Sequence, residues 1–335
     1  MASVDVIVPC YNYARYLKDC VESVLTQSGV DVRVIVIDDA SPDNTAEVAS
    51  ELAQADSRVT FVRHVANKGH IATYNEGIDW TARDYLLLLS ADDYLLPGAL
   101  ARATAIMDRA PDIGFVFGNA LTLQDNGSSE QNRPFGHDAG ASGDRVMPGV
   151  EFIKYCEAVN IVPTPTAVVR TTLQKQVGGY RPELPHSGDL EMWLRLAGRA
   201  GVGFVDDYQA VYRVHQNNMS RSYMTEMMPD LLQRKLAIDY FFKHSGLAEK
   251  ETEQLHDRLF GALGRDAVGR ASAAFNEGRT ELSGQLSDFA LNVHPAIGKS
   301  LPWAKLSFKR SIGPKAWLAL QSIKRSIGGT ARNDA

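Results

Sequence analysis

The stretch that decides the fold is LLLLSADDY, residues 86–94. Four consecutive leucines at 86–89 are followed, after Ser90 and Ala91, by two adjacent carboxylates, Asp92 and Asp93. A short apolar run that stops at polar residues predicts a strand buried on both faces of a parallel sheet. Because ligands of open α/β sheets bind beyond the carboxyl ends of such strands, the two aspartates stand where a binding site is expected.

The aspartate pair has two interpretations that the residues alone leave open. Adjacent anions repel each other and are costly to bury, so a site that keeps both would need a cation, most simply Mg²⁺ or Mn²⁺ bridging to phosphate oxygens. The alternative is structural, because aspartate is a favoured N-cap and Pro97 would fall near the first turn of the next helix.

Strands and helices alternate along the first hundred residues. Apolar strands at 4–9, 32–37 and 59–63 precede the strand at 85–89, and each gap carries a helical pattern. This order predicts a parallel, right-handed α/β sheet. The strand at 32–37 also ends in a carboxylate pair, so a nucleotide could span the two pairs, with base or ribose at the first and phosphate and metal at the second.

Two common nucleotide-binding classes are disfavoured because their glycine-rich loops are missing. The first strand continues into Pro9-Cys10-Tyr11-Asn12, without the GxGxxG that lets a pyrophosphate approach a helix N-terminus. The chain also lacks a GxxxxGK[ST] loop. We therefore do not expect a dinucleotide-binding oxidoreductase or a P-loop NTPase.

Charge is distributed unevenly along the chain of 335 residues, whose formal net charge is −5. Residues 299–335 carry eight Lys and Arg against one acid, which leaves a net charge of −12 on residues 1–298. In this tail, Trp, Phe and Leu are interleaved with Lys and Arg, a pattern typical of helices that lie on anionic membrane surfaces. The alternative is a solvated helix that packs on the preceding helical region. The acidic body makes nucleic acid an unexpected partner.

Cysteine usage and hydropathy indicate a compartment. Three cysteines without a CxxC pair predict reduced thiols and a cytoplasmic protein. The N-terminus lacks the basic and then apolar pattern of a signal peptide. No stretch of 18 uninterrupted apolar residues occurs, so no transmembrane helix is expected.

The second half of the chain offers fewer chemical signals. Residues 122–149 look like a long irregular excursion, either a functional lid or a poorly ordered loop. Asp189 opens a predicted helix, and its spacing alone favours an N-cap over a catalytic role. His215 ends a short strand, where a histidine is more often hydrogen-bonded than a metal ligand. From residue 224 to about 291 the sequence predicts helices with an apolar stripe, without a metal or nucleophile pattern.

Seven short motifs follow one another along the chain: VIVPCYN at 6–12, IDDASPD at 37–43, NKG at 67–69 with Asn75 and Gly77, SADD at 90–93, VGGY at 177–180, GDLEMWLR at 188–195 and YRVH at 212–215. Taken together in this order, they resemble the family 2 glycosyltransferases of the GT-A fold, enzymes of the bacterial polysaccharide type. The resemblance covers residues 3 to about 220.

The resemblance implies a site for a nucleotide-diphospho-sugar. Tyr11 and Asp39 would hold the nucleobase, and Pro9 and Asn67 would line the same pocket. Asp92 would meet the ribose. Asp93 and His215 would ligate a divalent metal, Mn²⁺ or Mg²⁺, on the diphosphate. Arg213 would help to neutralise the phosphates.

The resemblance also implies the chemistry. Asp189 matches the catalytic base of inverting members, which takes a proton from the acceptor hydroxyl in a single displacement. The implied enzyme is a hexosyltransferase that moves a sugar, with UDP-sugar as the first candidate donor, to a glycan or lipid-linked glycan in cell-surface polysaccharide synthesis. Two positions depart from the family pattern: Ser90 begins the DxD position, and Gly188 replaces the acid that often precedes the base.

The expected architecture is a GT-A type, Rossmann-like and mostly parallel sheet flanked by helices, followed by a C-terminal helical region. We place the catalytic domain at 1–222, the helical region at 223–298 and a basic amphipathic tail at 299–335. The tail would hold a cytoplasmic protein peripherally on the inner face of the cell membrane. The alternative from another functional class is a non-catalytic nucleotide-sugar-binding or scaffolding protein that retains the fold.

Overall fold

The computed structural model describes residues 1–135, 143–216, 218 and 226–329, with residues 318, 320 and 321–329 described by their backbone alone. Within these ranges the strands are β1 (Ser3–Cys10), β2 (Asp31–Asp38), β3 (Val59–Arg63), β4 (Tyr85–Leu88), β5 (Tyr94–Leu95), β6 (Ile113–Gln124), β7 (Ser129–Asn132), β8 (Arg145–Met147), β9 (Val168–Arg170) and β10 (Gly201–Val214).

The α-helices within the same ranges begin and end as follows: α1 (Ala14–Leu25), α2 (Thr45–Ala55), α3 (His70–Trp80), α4 (Ala99–Arg109), α5 (Gly149–Cys156), α6 (Thr171–Val177), α7 (Gly188–Ala197), α8 (Met227–His244), α9 (Glu249–Asn276), α10 (Thr280–Val293) and α11 (Leu301–Gly329).

The strands form one sheet with the order β3-β2-β1-β4-β9-β6-β10-β5, to which β7 adds at β6 and β8 at β10. The four strands β3, β2, β1 and β4 pair in parallel, as their connections through helices require. The other half is mixed, because β9 lies antiparallel between β4 and β6 while β10 runs parallel to β6. The expected α/β fold, with a central sheet flanked by helices, is confirmed.

Each face of the sheet buries its own set of helices. One apolar cluster joins the sheet to α1, α2 and α4. The other joins it to α3, α5, α6 and α7, and continues without a break into α8, α9 and α10. The helical region therefore shares a core with one face of the sheet. The domain limits predicted at 222 and 223 lie outside the described residues, and that division stays a prediction.

The contact between α3 and β1 shows how closely these layers pack. A Cβ on Gly77 would lie 2.2 Å from the Cγ2 atom of Ile7. Only glycine permits this approach, which brings α3 against the strand that leads to the site. The helix therefore sits close enough for its N-terminal turn, including His70 and Tyr74, to reach the carboxyl edge of the sheet.

Two parts of the second half differ from the sequence prediction. The pattern of residues 202–215 predicts two short strands, but they form one strand, β10, with irregularities in register between Val205 and Ala210. The excursion at 122–149 contains the end of β6 and two short strands, β7 and β8, while residues 136–142 lie outside the described residues. Pairing to long neighbours supplies strand structure that the polar local sequence does not predict.

The basic tail packs in part against the helical region. Helix α11 is kinked where Gly313, with φ of 82°, precedes Pro314. Leu306 is buried on α9, and the Lys309 ammonium donates to the Ser272 hydroxyl on α9. Of the helices that the structure describes, none is both long enough and apolar enough to cross a membrane.

Candidate active site

The carboxyl ends of β1, β2 and β4 bring the predicted residues to one edge of the sheet. Backbone hydrogen bonds fix their order, since Asp39 N–H donates to the Cys10 carbonyl at 2.9 Å and Ala91 N–H reaches the Pro9 carbonyl at 3.4 Å. The end of β1 therefore lies between Asp39 on one side and the Asp92–Asp93 pair on the other. This is the juxtaposition that the two carboxylate-terminated strands predict.

Asp39 is buried and holds the chain segment that faces it. Its carboxylate accepts from Lys68 N–H at 2.7 Å and Gly69 N–H at 2.9 Å, and it lies 2.6 Å from His64 Nδ1. Burial alone would raise the pKa of Asp39, but the hydrogen bonds from His64 and the two amides outweigh it and hold the pKa below its ordinary value. Asp39 therefore stays ionised and orders the loop at 67–69.

The other three residues of the expected nucleobase pocket surround Asp39. Tyr11 is 48% exposed at the end of β1, so its ring is free to stack on a planar ligand. Pro9 lies opposite Ile37 in the β1–β2 register. Asn67 donates from its amide to the Asp39 carbonyl at 3.1 Å, so it fixes the loop. The contacts of these residues with a nucleobase stay predictions.

Asp92 and Asp93 are both almost fully buried, with 4% and 1% of their surface exposed. Burial, and then the neighbouring Asp92 charge, raise the pKa of Asp93 well above its ordinary value. The backbone N–H of Arg213 donates to Asp93 Oδ1 at 2.9 Å and partly opposes this rise. The sheet therefore holds two adjacent carboxylates in a place where their negative charge is costly.

Strand β10 crosses beside this pair and supplies Arg213, and His215 directly follows its last residue. His215 Nε2 lies 3.1 Å from Asp92 Oδ2, and its ring packs between those of Tyr13 and Tyr16. The Arg213 guanidinium donates to the Asp92 carbonyl at 3.0 Å and to the Asp19 carboxylate at 2.9 Å. These two side chains therefore brace the aspartate pair, and their contacts with metal and phosphate stay predictions.

These donors fit a divalent cation. Two carboxylates and an imidazole are ligands that Mg²⁺ and Mn²⁺ accept, and a cation would relieve the charge that burial makes costly at Asp93. Within the described residues no three His, Cys, Asp or Glu side chains converge closely enough to hold a metal by themselves. A cation here would therefore complete its coordination with phosphate oxygens and water, as Mg²⁺ commonly does.

Asp189 lies in the first turn of α7, on a different element from Asp92 and Asp93. Its carboxylate Oδ2 accepts from the Thr164 hydroxyl at 3.0 Å, and the Tyr180 hydroxyl also hydrogen-bonds to it. Burial raises the pKa of Asp189, while these two hydrogen bonds and the nearby His70 lower it, and the net shift is upward. A carboxylate with a raised pKa is suited to accept a proton near neutral pH.

Tyr74 connects the two groups of acids. Burial, followed by the charges of Asp189, Asp92 and Asp93, raises the pKa of its hydroxyl. Its ring stacks edge-on against Tyr180 at 5.3 Å between centroids. The charges of all three carboxylates therefore act on one hydroxyl, and the grouping of the expected base with the aspartate pair stays a prediction.

Two hydrogen bonds with Asn75 fix the backbone of Tyr180, whose hydroxyl contacts Asp189. Asn75 Oδ1 accepts from Tyr180 N–H at 2.6 Å, and the Asn75 amide donates to the Tyr180 carbonyl at 2.9 Å. A Cβ on Gly188 would lie 3.1 Å from the Tyr180 ring, so a larger residue there would crowd it. Gly188, which stands where the family pattern often has an acidic residue, therefore leaves room for the Tyr180 ring beside Asp189.

Several residues that the structure places in the site could not be identified from the sequence motifs. They are His64, which bridges Asp39 and Glu76; Thr164 on Asp189; Tyr74 between the acids; and Asn218, whose amide donates to the Arg213 carbonyl. Tyr180 and Asn75 enter the sequence prediction only as positions of the family pattern. Apart from the Asn218–Arg213 contact, which spans five residues, these contacts join separate segments of the chain, so local spacing cannot reveal them.

Comparison with known proteins agrees with this geometry. Residues 5–159 match the family described as Glycosyl transferase family 2, a segment that includes Asp39, Asp92 and Asp93. An uncharacterized glycosyltransferase of Methanocaldococcus jannaschii is 25% identical over 224 residues, which span 65% of this chain and 73% of that protein. TuaG of Bacillus subtilis, which is named as a teichuronic acid biosynthesis glycosyltransferase, is 26% identical over 65% of this chain and 81% of its own length.

Solved structures share the fold at lower identity. Staphylococcus aureus TarS 1-349, in complex with UDP-GlcNAc, superposes with a TM-score of 0.63 and 16% identity over 89% of this chain and 92% of its own. The mannosyltransferase PcManGT from Pyrobaculum calidifontis, in complex with GDP-Man and Mn²⁺, gives a TM-score of 0.56 and 18% identity over 96% and 86%. Residues 5–159 therefore match a glycosyl transferase family 2 domain, the sequence relatives are named as glycosyltransferases, and the chain has the GT-A-like fold of these solved structures.

Proposed function

We propose that this protein is an inverting glycosyltransferase that moves a sugar from a nucleotide-diphospho-sugar to a hydroxyl group of a glycan or lipid-linked glycan. The observation that carries the proposal is the position of Asp189, whose carboxylate is hydrogen-bonded by Thr164 and Tyr180. The Tyr180 ring packs on Tyr74, and the charges of Asp92 and Asp93 also act on the Tyr74 hydroxyl. A single displacement at the anomeric carbon needs a base close to the diphosphate site.

The donor would lie along the carboxyl edge of the sheet. Tyr11 offers an exposed ring for the nucleobase, with Asp39, Asn67 and Pro9 beside it, and the ribose and diphosphate would reach Asp92 and Asp93. A divalent cation bound by Asp93 and His215 would act as a Lewis acid that stabilises the departing nucleoside diphosphate. This chain's own contribution is to fix the two carboxylates, through the Arg213 amide and guanidinium and the His215 ring.

Asp189 would act on the acceptor. Its ionised carboxylate would take the proton from the acceptor hydroxyl as that oxygen attacks the anomeric carbon and the bond to the nucleoside diphosphate breaks. Thr164 and Tyr180 would orient the carboxylate through their hydrogen bonds to it. The configuration at the anomeric carbon would invert, because the reaction has one displacement.

The role in cell-surface polysaccharide synthesis is supported by the relative TuaG, which is named for teichuronic acid biosynthesis. The neighbours in structure carry different donors, since TarS was solved with UDP-GlcNAc and PcManGT with GDP-Man. We place UDP-sugars first, and the acceptor as a growing glycan, free or on a lipid carrier.

A donor panel tests the proposal. UDP-, GDP- and dTDP-linked sugars are scored for release of the nucleoside diphosphate with Mn²⁺ or Mg²⁺, and again with EDTA. We expect release from one nucleotide class that needs the divalent metal. Release that continues undiminished in EDTA would contradict the metal part of the proposal. Binding of nucleotides with no transfer to any acceptor would favour the non-catalytic alternative.

We also propose that the outward face of α11 rests on an anionic membrane. Leu301 and Phe308 are 78% and 55% exposed, and the exposed cations Lys305, Arg310 and Lys315 surround them. Each such cation near an anionic surface contributes about 1 kcal/mol. Such a position, on the cytoplasmic side, would bring the enzyme to a lipid-linked acceptor.

Vesicle sedimentation tests this contact. The protein should sediment with phosphatidylglycerol vesicles at low salt and not with phosphatidylcholine vesicles. Lys305→Glu combined with Phe308→Ser should abolish sedimentation, whereas Lys250→Glu on the exposed start of α9 should not. Equal sedimentation of the double variant and the wild type would refute the assignment of this face.

A further inference from the structure

Helix α8 contacts both loops that lead to the groups around Asp189. One is loop 157–163, which follows α5 and ends next to Thr164. The other is loop 181–187, which lies between Tyr180 and the first turn of α7. The donor side of the site, around Asp39, makes no described hydrogen bond with α8. Among the residues that the structure describes, the hydrogen bonds of α8 to the site therefore go to the half that holds the expected base.

Loop 181–187 is held by the first turns of α8. His186 Nε2 lies 2.9 Å from Asp230 Oδ1, and the His186 N–H donates to Gln233 Oε1 at 3.3 Å. The Gln233 amide donates to the Glu183 carbonyl, also at 3.3 Å. From the other side His70 Nε2 lies 3.0 Å from the Pro185 carbonyl, so the loop is held between α3 and α8.

Loop 157–163 is held by the next turn of α8. The Arg234 guanidinium donates through Nε to the Ala158 carbonyl at 2.8 Å, in a buried position. Glu157 and Ala158 both have positive φ values, 44° and 66°, which residues with a Cβ rarely adopt. Because that conformation is unfavourable for the chain on its own, the Arg234 contact is a specific restraint on the path toward Thr164.

The two restraints are joined to each other. Asp230 Oδ2 accepts from Arg234 at 3.2 Å and from Arg270 on α9 at 2.7 Å. Asp266 on α9 pairs with the same two arginines, at 2.6 Å to Arg234 and 3.1 Å to Arg270. A movement of α8 would therefore shift both loops together.

We propose that Asp230 and Arg234 are positioning residues, through which the helical region sets the place of the Asp189 carboxylate relative to the acceptor. His186 and Thr164 transmit the position of α8 to the base site. The inference rests on the proposed role of Asp189. In this proposal, the packing of the helical region against one face of the sheet also serves to position the base.

The test compares transfer with donor binding. His186→Ala removes one partly buried side chain between the loop and α8, and Gln233→Ala removes two long hydrogen bonds, so neither variant removes an apolar core side chain. A base displaced by about 1 Å can cost up to about 100-fold in rate. We expect His186→Ala to lower kcat at least tenfold, and Asp230→Asn to do so too, with donor KM and nucleotide affinity unchanged.

Two further variants separate positioning from general stability. His186→Gln retains a donor that can reach Asp230 and should restore most of kcat. Lys235→Ala on the same helix breaks the exposed Lys235–Asp239 pair, whose atoms are 2.7 Å apart, and should leave kcat and donor KM as in the wild type. Unchanged kcat in both His186→Ala and Asp230→Asn would overturn the inference, as would a loss of nucleotide affinity parallel to that of kcat.

The turnover of Asp189→Asn distinguishes a failure of this inference from a failure of the proposed function. If Asp189→Asn keeps full turnover, Asp189 is not the base, and both the proposed function and this inference fail. If Asp189→Asn is inactive while the Asp230 and His186 variants turn over normally, the base stands and only the positioning role is lost.

Discussion

Replacing Thr164 by valine removes one hydrogen bond from the proposed base with little change of shape. The Thr164 hydroxyl donates to Asp189 Oδ2 at 3.0 Å, and Asp189 is partly buried. Hydrogen bonds to charged groups contribute about 1.5 to 3 kcal/mol. At about 1.4 kcal/mol for each tenfold change in an ionisation equilibrium, the ionised form should become about 10- to 100-fold less favoured.

The direction of the effect is set by the state that the base needs. Burial raises the pKa of Asp189, and the hydrogen bond from Thr164 lowers it, so Thr164→Val raises the pKa further. The base acts as the carboxylate, so kcat/KM rises as pH rises through this pKa. The acidic limb of the profile should therefore move to higher pH in the variant.

The assay is kcat/KM for the donor that the panel identifies, measured from about pH 5 to about pH 9. Thr172→Val is a matched control, since Thr172 is exposed on α6 and outside the site. We expect the control profile to overlie the wild type. An acidic limb that does not move in Thr164→Val, with activity retained at low pH, would refute the assignment of Asp189 as the titrating base.

Four other predictions concern the same site and its supports. Tyr180→Phe removes the second hydrogen bond to the base and should move the acidic limb of kcat/KM in the same direction as Thr164→Val; a shift to lower pH would contradict this. Gly179→Ala would put a Cβ 2.2 Å from Asn75 Oδ1, so it should destabilise the fold by about 1 to 3 kcal/mol, seen as a lower Tm. Asp93→Asn should weaken nucleotide binding in Mn²⁺ by about tenfold or more in a calorimetric titration and have little effect in EDTA. The pKa of Asp39 is lowered in the folded protein, so its ionisation adds stability above the unfolded pKa of about 3.9, and this stability is lost as pH falls through the folded pKa. The decline of Tm in acid should therefore be smaller in Asp39→Asn than in the wild type.

Local pattern was sufficient for the parallel half of the sheet and for the carboxylates at its edge. The apolar runs that end at Asp38 and Asp92 specify buried parallel strands, and their ends must meet because parallel strands share a carboxyl edge. The amphipathic pattern of α1, with Leu17 and Val21 buried, likewise predicts which face packs. These features depend on periodicity within one segment, so the sequence contains them directly.

Features that depend on contacts between distant segments were not predictable in this way. The sequence predicts a strand at 166–170, but the antiparallel direction of β9 depends on its neighbours β4 and β6 and is not contained in its local sequence. The partners of Asp189 come from positions 164 and 180, and nothing in their local sequence points at the base. The tail pattern suggested a membrane helix or a packed helix, and the structure shows that the two faces of α11 differ, with Leu306 and Lys309 turned inward.

The measurement that tests the central claim most directly is the turnover and nucleotide affinity of Asp189→Asn, which keeps the size of the side chain and removes its ability to accept a proton. The proposed mechanism predicts a fall in kcat of about 100- to 10,000-fold, the range that general base catalysis contributes. Nucleotide affinity in Mn²⁺ should stay within about twofold of the wild type, because the donor site at Asp39, Asp92 and Asp93 is intact. Turnover close to that of the wild type would contradict the assignment of Asp189 and with it the proposed mechanism.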